Sequence, residues 1–290
     1  MEELREELKS FEYEKSKIRI DEVVADVQKI HVEKENNKAL VQVASQFNLL
    51  EMIGPSRTPE LGVGIYERDR TQGPACAIAC GAGTIYRNYF VLVNEKIGQS
   101  RNNQIDCLKD IGEFLNNKNN RLWKMENGYA LASEDGLIKI NKKLNQLSST
   151  EYDDLKGKLR VGVQWNSEVT ITDTNNYITQ VFCSALPISY SIVDKYLWHS
   201  FAQLVLEATY EATILLGLKN YIKNQNNQVY LTLIGGGVFG NDLNWILKAI
   251  KKVIVKYQDF PLDVKIVSYQ KSKPEIQLFL SALNKILQEN

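Results

Sequence analysis

The carboxy-terminal part of the chain alternates between short apolar runs and segments with helical periodicity. This pattern predicts strands over residues 229–234 and 264–268 and helices over residues 242–257 and 274–287. Strands that alternate with helices are typical of a sheet covered by helices. We therefore expect an α/β fold.

The first third of the chain has shorter apolar runs. Residues 39–44 form an apolar run between polar residues, which indicates a buried strand. Weaker patterns predict a strand with a break over 18–32, a helix over 75–82 and a strand over 89–93. Residues 45–73 are rich in Gly, Pro and Thr, and loops of this length inside a compact domain are often functional.

The middle of the chain is harder to interpret. Residues 95–128 are weakly patterned and fit an insertion or an exposed hairpin, whereas 134–155 looks helical. Strands are predicted over 159–165 and 178–186, and a long helix, packed on two sides, over 194–221. With residues 1–17 as a solvated lead-in and no linker, we expect one domain over 1–290 with an insertion and additional strands over 95–195.

Composition narrows the function classes. The chain has 35 Lys and Arg against 35 Asp and Glu, so it has no net charge with which to bind nucleic acid by bulk electrostatics. No membrane span is expected, because the best apolar window, 201–218, contains Glu207 and Glu211. The acidic amino terminus has no apolar core, and the four cysteines lack disulfide-type spacing. We therefore expect a cytoplasmic protein.

A glycine-rich turn at residues 235–241 is the sharpest local feature. It follows an apolar strand and precedes Asp242, which is placed to cap a helix. Backbone N–H groups without neighbouring side chains can approach a ligand closely, and a helix N-terminus adds partial positive charge, so the turn favours a phosphate group. The alternative is a tight connection without a ligand.

Gly235, Gly237 and Gly240 also fit the dinucleotide pattern G-x-G-x-x-G. A nicotinamide-dependent enzyme is therefore an alternative. Against it, only about 50 residues follow the turn, too few for the rest of a mononucleotide-binding half. No acidic residue ends the strand at 264–268.

Carboxylates are the second chemical feature of the sequence. Glu51, Glu67 and Asp69 lie in the loop that follows the strand at 39–44. Loops at the carboxyl ends of strands are where open α/β sheets bind ligands, and a carboxylate beside a sugar can act as a base or stabilise an oxocarbenium ion. Solvated loop charges are the alternative for each of them. No metal site is predicted, since Cys76 and Cys80 have no further ligands at a suitable spacing.

Four stretches together resemble the macrodomain family, and within it the poly(ADP-ribose) glycohydrolase-like and bacterial effector branch. They are Ala25-Asp-Val-Gln, Ala39-Leu-Val-Gln-Val-Ala-Ser, Thr71-Gln-Gly-Pro-Ala-Cys-Ala-Ile-Ala and Gly236-Gly-Val-Phe-Gly-Asn-Asp. The resemblance covers residues 18–90 and 228–290 and leaves 95–195 unexplained. It implies a three-layer α/β/α fold with a mixed sheet that binds ADP-ribose.

The resemblance also implies roles for particular residues. Asp26 and Tyr269 would hold adenine; Ser45, Gln46 and Asn48 would orient the distal ribose; and residues 235–241 would wrap the diphosphate. The full set of binding residues is Asp26, Ser45, Gln46, Asn48, Thr71, Gln72, Gly73, Gly235, Gly236, Gly237, Val238, Phe239, Gly240, Asn241 and Tyr269.

One departure from the family pattern concerns catalysis. The paired glutamates of the glycohydrolase-like branch are missing, because Gly73 and Pro74 follow Gln72. Asp69 is the first candidate for the catalytic acid, Glu51 the second and Asp242 a distant third.

The resemblance implies an ADP-ribosylhydrolase that releases ADP-ribose from a modified protein, without a cofactor, nucleic acid or membrane. A non-catalytic ADP-ribose reader is the alternative. If the chain is a bacterial effector, it is expected to act inside a host cell.

Overall fold

A computed structural model describes residues 1–289 of the chain. The strands of the main sheet are β1 (Arg19–Val24), β2 (Leu40–Ala44), β7 (Gly162–Glu168), β8 (Tyr177–Cys183), β9 (Gln228–Leu231) and β10 (Asp263–Ser268). Two hairpins contain β3 (Leu92–Val93), β4 (Lys96–Ile97), β5 (Trp123–Glu126) and β6 (Tyr129–Ala132). The helices are α1 (Glu2–Lys9), α2 (Val27–Val32), α3 (Gln72–Ala79), α4 (Gly81–Tyr89), α5 (Lys109–Leu115), α6 (Glu134–Leu144), α7 (Ser149–Gly157), α8 (Lys195–Asn224), α9 (Leu243–Lys256) and α10 (Pro274–Glu289).

The main sheet is mixed. Its strand order is β1-β10-β9-β2-β8-β7, and all neighbouring pairs are parallel except β7 with β8. Val24 lies opposite Ser268, and Ala44 lies opposite Cys183. The carboxyl ends of β9, β2 and β8 therefore meet at one edge of the sheet.

Helices cover both faces of this sheet. Val41 and Val43 of β2 pack on the side of α2 and α3, whereas Leu40 packs on the side of α8, α9 and α10. This alternation follows from the two-residue period of a strand. The predicted three-layer α/β/α arrangement with a mixed sheet is confirmed.

Several local predictions were wrong. Residues 27–32 form helix α2 rather than strand, because the Asp26 side chain accepts a hydrogen bond from Gln28 N–H (2.8 Å) and caps the helix. In the segment predicted as a strand over 89–93, Tyr89 ends α4, and only Leu92–Val93 is a strand, which pairs in a hairpin outside the main sheet. The helix over 134–155 is divided by Ser148, which caps α7 with Glu151 in a capping box.

The middle of the chain supplies both peripheral and central structure. Strand β8 lies inside the main sheet, while β5, β6, α5 and α6 pack against the first half of α8. Trp123 and Phe201 meet there with ring centroids 5.2 Å apart. Helix α8 is long and apolar enough to span a membrane, but its apolar window is entirely buried within the fold.

The amino-terminal segment is not a solvated lead-in throughout. Helix α1 packs against α8, with Leu8 buried and Arg5 Nη2 2.7 Å from Glu211 Oε1. Glu211 also binds Lys156 (3.3 Å) and Lys256 (2.8 Å). The two glutamates of the apolar window at 201–218 thus belong to a buried ion network between helices, since Glu207 pairs with Lys252 at 2.7 Å.

Candidate functional site

A cleft of about 250 Å³ lies at the edge of the sheet where β2, β8 and β9 end. Its walls combine the loop after β2, the start of α3, the glycine-rich turn after β9 and residues from the middle of the chain. The lining residues are Ala44, Ser45, Gln46, Glu51, Met52, Ile53, Asp69, Thr71, Gln72, Gly73, Pro74, Tyr129, Ala185, Tyr190, Thr232, Leu233, Ile234, Gly235, Gly237, Val238 and Phe239.

The glycine-rich turn presents main-chain donors at this cleft. Gly240 and Asn241 donate their N–H groups to carbonyl oxygens of the turn itself, and Gly236 donates to Leu233 O. The N–H groups of Gly237, Val238 and Phe239 have no acceptor among residues 1–289. Three consecutive unpaired N–H groups in residues that line a cleft can together bind an anion.

Glycine is required at specific points of the turn. Gly235 has φ +75°, and a β-carbon there would lie 2.5 Å from Ala185 Cβ and 2.6 Å from Asn241 Nδ2. Gly240 has φ +72°, whereas Gly237 has open space around it. Asn241 is buried and donates from Nδ2 to Leu186 O (2.9 Å), so it fixes the turn from behind. Gly236, Gly240 and Asn241 therefore shape the turn without lining the cleft.

The helix that follows the turn begins outside the cleft lining. Helix α9 begins at Leu243, beyond the glycines, and the Asp242 side chain caps it by accepting from Asn244 N–H (2.9 Å). The Asp242 carboxylate also pairs with Lys195 at 3.0 Å. Asp242 is thus a capping residue outside the cleft lining, and a phosphate at this helix terminus stays a prediction.

The first turn of α3 faces the cleft instead. Thr71, Gln72 and Gly73 line it, and Thr71 makes no side-chain capping bond. The Gln72 amide is bound to β2: its Oε1 accepts from Ala44 N–H (2.7 Å) and its Nε2 donates to Gln42 O (2.8 Å). A β-carbon on Gly73 would lie 1.9 Å from Ala44 O, so only glycine permits this close contact between α3 and β2.

Glu51 is the most perturbed carboxyl group in the cleft. Its side chain is buried, its Oε2 accepts from Arg87 Nη2 (2.9 Å), and its Oε1 has no hydrogen-bond partner among residues 1–289. Burial raises the pKa of Glu51 to about 7, although the neighbouring Arg87 guanidinium opposes the shift. A carboxyl group with such a pKa can exchange a proton near neutral pH.

Asp69 lines the same cleft and is half-buried. Its Oδ1 accepts from Thr71 N–H at 2.8 Å. Burial raises the pKa of the Tyr129 hydroxyl, and the nearby Tyr190 and Asp69 raise it further. The structure therefore brings both sequence-predicted carboxylates, Asp69 and Glu51, to one cleft.

The polar residues after β2 mainly bind one another. Ser45 Oγ donates to Gln46 O (2.9 Å), and Gln46 pairs through Nε2 and Oε1 with the backbone of Met52. Asn48 is buried outside the cleft lining, where its Nδ2 donates to Gln104 Oε1 (3.1 Å). Ser45 and Gln46 line the cleft, whereas the Asn48 amide holds the loop to residues from the middle of the chain.

The two residues expected to hold adenine lie beyond the cleft. Asp26 follows β1 and Tyr269 follows β10, so both are at the same edge of the sheet as the cleft but on the strands past β9. Tyr269 is 63% exposed. Neither residue belongs to the cleft lining.

An aromatic cluster completes the cleft, and two of its members were missed. Tyr129, Tyr190 and Phe239 have ring centroids 5.0–5.8 Å from one another. Tyr129 OH donates to Met52 O (3.1 Å), which ties β6 to the loop after β2. Neither Tyr129 nor Tyr190 lies in a recognisable motif, so the sequence carried no signal for them.

Comparisons with known proteins add little. No family model matches the chain, and no curated protein matches its sequence. Among solved structures, a mutant of the Oceanobacillus iheyensis macrodomain is 12% identical, covering 93% of this chain and 94% of its own, with a TM-score of 0.44. Another mutant of that protein, solved with ADPR, has 12% identity, 93% and 94% coverage and a TM-score of 0.39. The X-domain of IBV has 8% identity, 92% and 98% coverage and a TM-score of 0.34. Similarity this weak assigns no function.

Proposed function

We propose that the cleft binds the ADP-ribose part of a modified protein and that the chain hydrolyses the bond at the distal ribose C1. One observation carries the proposal: unpaired main-chain N–H groups and a buried carboxyl group with a free oxygen line the same cleft. The first feature suits a diphosphate, and the second suits acid–base chemistry at a sugar.

Binding would depend on the backbone rather than on cations. The N–H groups of Gly237, Val238 and Phe239 would donate to the diphosphate oxygens from one wall. The first turn of α3 would add the partial positive charge of its helix terminus from the other wall. The exposed ring of Tyr190 would offer an apolar face to a ribose, and the buried ring of Tyr129 packs against it.

Hydrolysis would use the two carboxyl groups in different states. Protonated Glu51 can give its proton to the leaving atom of the target side chain as the bond to C1 breaks. Asp69 can stabilise the positive charge at C1 and accept a proton as water attacks. The products are free ADP-ribose and the unmodified side chain, and no metal ion or cofactor takes part in these steps.

The test is the release of free ADP-ribose from ADP-ribosylated proteins that carry different linkages. We expect Glu51→Gln and Asp69→Asn each to lower kcat about 100-fold. Glu67→Gln is the matched control, because Glu67 is exposed in the same segment and does not line the cleft. If the wild-type protein releases nothing from any linkage, the hydrolase function is wrong.

A separate measurement tests binding. Calorimetry should give micromolar affinity for ADP-ribose, about −8 kcal/mol. Gly237→Val should abolish it, because the new side chain would occupy open space beside the unpaired N–H groups. Gly64→Ala is the control, since Gly64 also has open space around it but lies outside the cleft lining. Binding without turnover would identify a reader.

The nicotinamide-dependent alternative has less support from the geometry. In the dinucleotide motif the pyrophosphate lies at the helix N-terminus, but here that terminus is occupied by the Asp242 carboxylate. Tighter binding of NAD than of ADP-ribose in the same calorimetry would reverse this conclusion.

A further inference from the structure

Arg87 of α4 is a buried residue with a nearly complete set of partners. Its Nε donates to Leu49 O (2.9 Å), its Nη1 to Gln164 Oε1, and its Nη2 to Glu51 Oε2 (2.9 Å) and Thr84 Oγ1 (3.3 Å). The guanidinium also lies over the Phe182 ring, with Cζ 3.7 Å from the centroid. These contacts leave Arg87 in one orientation.

Arg87 does not itself line the cleft, whereas Glu51 does. The ion pair takes one carboxylate oxygen of Glu51, and the other, Oε1, has no partner among residues 1–289. A guanidinium fixed on three sides therefore determines which oxygen of the buried Glu51 carboxyl group is left without a hydrogen bond. A lysine at position 87 could supply the positive charge, but it lacks the planar guanidinium that holds several N–H donors in fixed directions.

We propose that Arg87 is a positioning residue for the chemistry of Glu51, holding Oε2 so that Oε1 is the oxygen that exchanges a proton with the substrate. This inference rests on the proposed function. It assigns a role to a residue in α4, away from the reacting atoms, which the sequence did not indicate.

A second group of contacts holds Arg87 in turn. The Gln164 side chain of β7 accepts from Arg87 and donates from Nε2 to Gly83 O (2.9 Å). A β-carbon on Gly83 would lie 2.6 Å from Gln164 Oε1. Glycine at position 83 thus leaves the space in which Gln164 reaches Arg87.

Three titratable or charged groups face Glu51 from the elements packed around it. They are Arg87 from α4, Tyr66 from the loop after β2, and Cys76 from α3. Burial raises the pKa of Tyr66 and of Cys76, so both are neutral at physiological pH. Arg87 is therefore the charge among these groups that favours ionised Glu51.

The decisive experiment compares pH–rate profiles of the wild type, Arg87→Gln and Arg87→Lys. In Arg87→Gln, the limb of the pH–rate profile that reflects the ionisation of Glu51 should move to higher pH by about one unit or more. The reason is that the ionised carboxylate loses its positively charged partner. The direction is the same whether Glu51 acts as acid or as base. In Arg87→Lys this limb should stay near its wild-type pH, since the positive charge remains. The kcat should fall about tenfold, since the planar guanidinium is lost.

A readout independent of turnover separates this proposal from the proposed function. NMR titration of the Glu51 side-chain carboxyl carbon gives its ionisation in the folded protein even if no ADP-ribose is released. We expect the midpoint to rise in Arg87→Gln and to stay close to that of the wild type in Arg87→Lys.

Two outcomes with the Arg87 variants would overturn the proposal. One is an NMR titration midpoint of the Glu51 carboxyl group that is the same in folded Arg87→Gln as in the wild type. The other is a pH–rate profile and a kcat for Arg87→Lys that match those of the wild type, which would show that the planar guanidinium is not needed.

Gln164→Leu is a milder variant in case Arg87→Gln does not fold, because it keeps the Arg87 guanidinium and removes one of its hydrogen-bond acceptors. It should lower kcat with little change in KM, and an unchanged kcat would contradict the argument.

Discussion

The ring of Tyr129 lies 5.3 Å from the ring of Phe239, centroid to centroid, at an interplanar angle of 49°. Tyr129 belongs to a hairpin in the middle of the chain, and Phe239 belongs to the glycine-rich turn near the carboxy terminus. Their contact joins the aromatic wall of the cleft to the glycine-rich turn, whose N–H groups are unpaired. It also supports the turn from outside its own segment.

This contact predicts that Phe239→Ala weakens ADP-ribose binding about fivefold, because aromatic pairs of this kind contribute about 1 kcal/mol beyond the area that they bury. Phe90→Ala is the matched control, since Phe90 is 60% exposed and does not line the cleft. Calorimetry with ADP-ribose measures both. Equal affinities for the two variants would show that the aromatic cluster does not support the turn.

Gly235 should be essential for stability rather than for binding alone. Alanine there would adopt φ +75° and place a β-carbon 2.5 Å from Ala185 Cβ, so we expect Gly235→Ala to lower the free energy of unfolding by about 2 kcal/mol or more. Gly237→Ala should change it by less than about 1 kcal/mol, because that position is open. Urea unfolding distinguishes the two variants, and equal losses would contradict the close contact.

The dependence of stability on pH should combine two opposing groups. Burial lowers the pKa of His31 to about 4, so the stability linked to neutral His31 is fully present above about pH 6.5 and is lost as the pH falls towards 4. Burial raises the pKa of Glu51 to about 7, so the stability linked to protonated Glu51 is present below about pH 4.5 and is lost as the pH rises towards 7. Each effect is about 2 kcal/mol between pH 5 and pH 7.

Because these two effects nearly cancel, wild-type stability should change little between pH 5 and pH 7. His31→Gln should become more stable on acidification over this range, and Glu51→Gln should become less stable. Urea unfolding of the three proteins at both pH values gives the comparison. If the free energy of unfolding of the wild type changes strongly with pH and neither substitution alters that change, other groups control the pH dependence.

The periodic parts of the fold were predictable from the sequence. The carboxy-terminal strands and helices were placed to within a few residues, because a strand in a covered sheet and an amphipathic helix each leave a repeating pattern. Residues 27–32 failed this test: the apolar spacing suited a strand, but the Asp26 cap begins a helix there. A capping hydrogen bond is a local contact that the pattern of apolar residues does not reveal.

The cleft was predictable where its parts are contiguous in sequence. Gly235, Gly237, Asp69 and Glu51 could be named in advance because glycine spacing and loop carboxylates are visible along the chain. The sequence could not show that the Gln72 amide is bound to β2 or that the Asn48 amide faces away from the cleft. Those contacts join residues whose approach depends on how the loop folds.

By itself, then, the sequence determined the α/β layering and the backbone chemistry of the turn, since both follow from local spacing and from missing side chains. The tertiary structure decided which groups meet: Tyr129 with Phe239, and Arg87 with Glu51. It also raised the pKa of Glu51, because desolvation depends on all the neighbours that exclude water from a carboxyl group, and those neighbours come from distant parts of the chain.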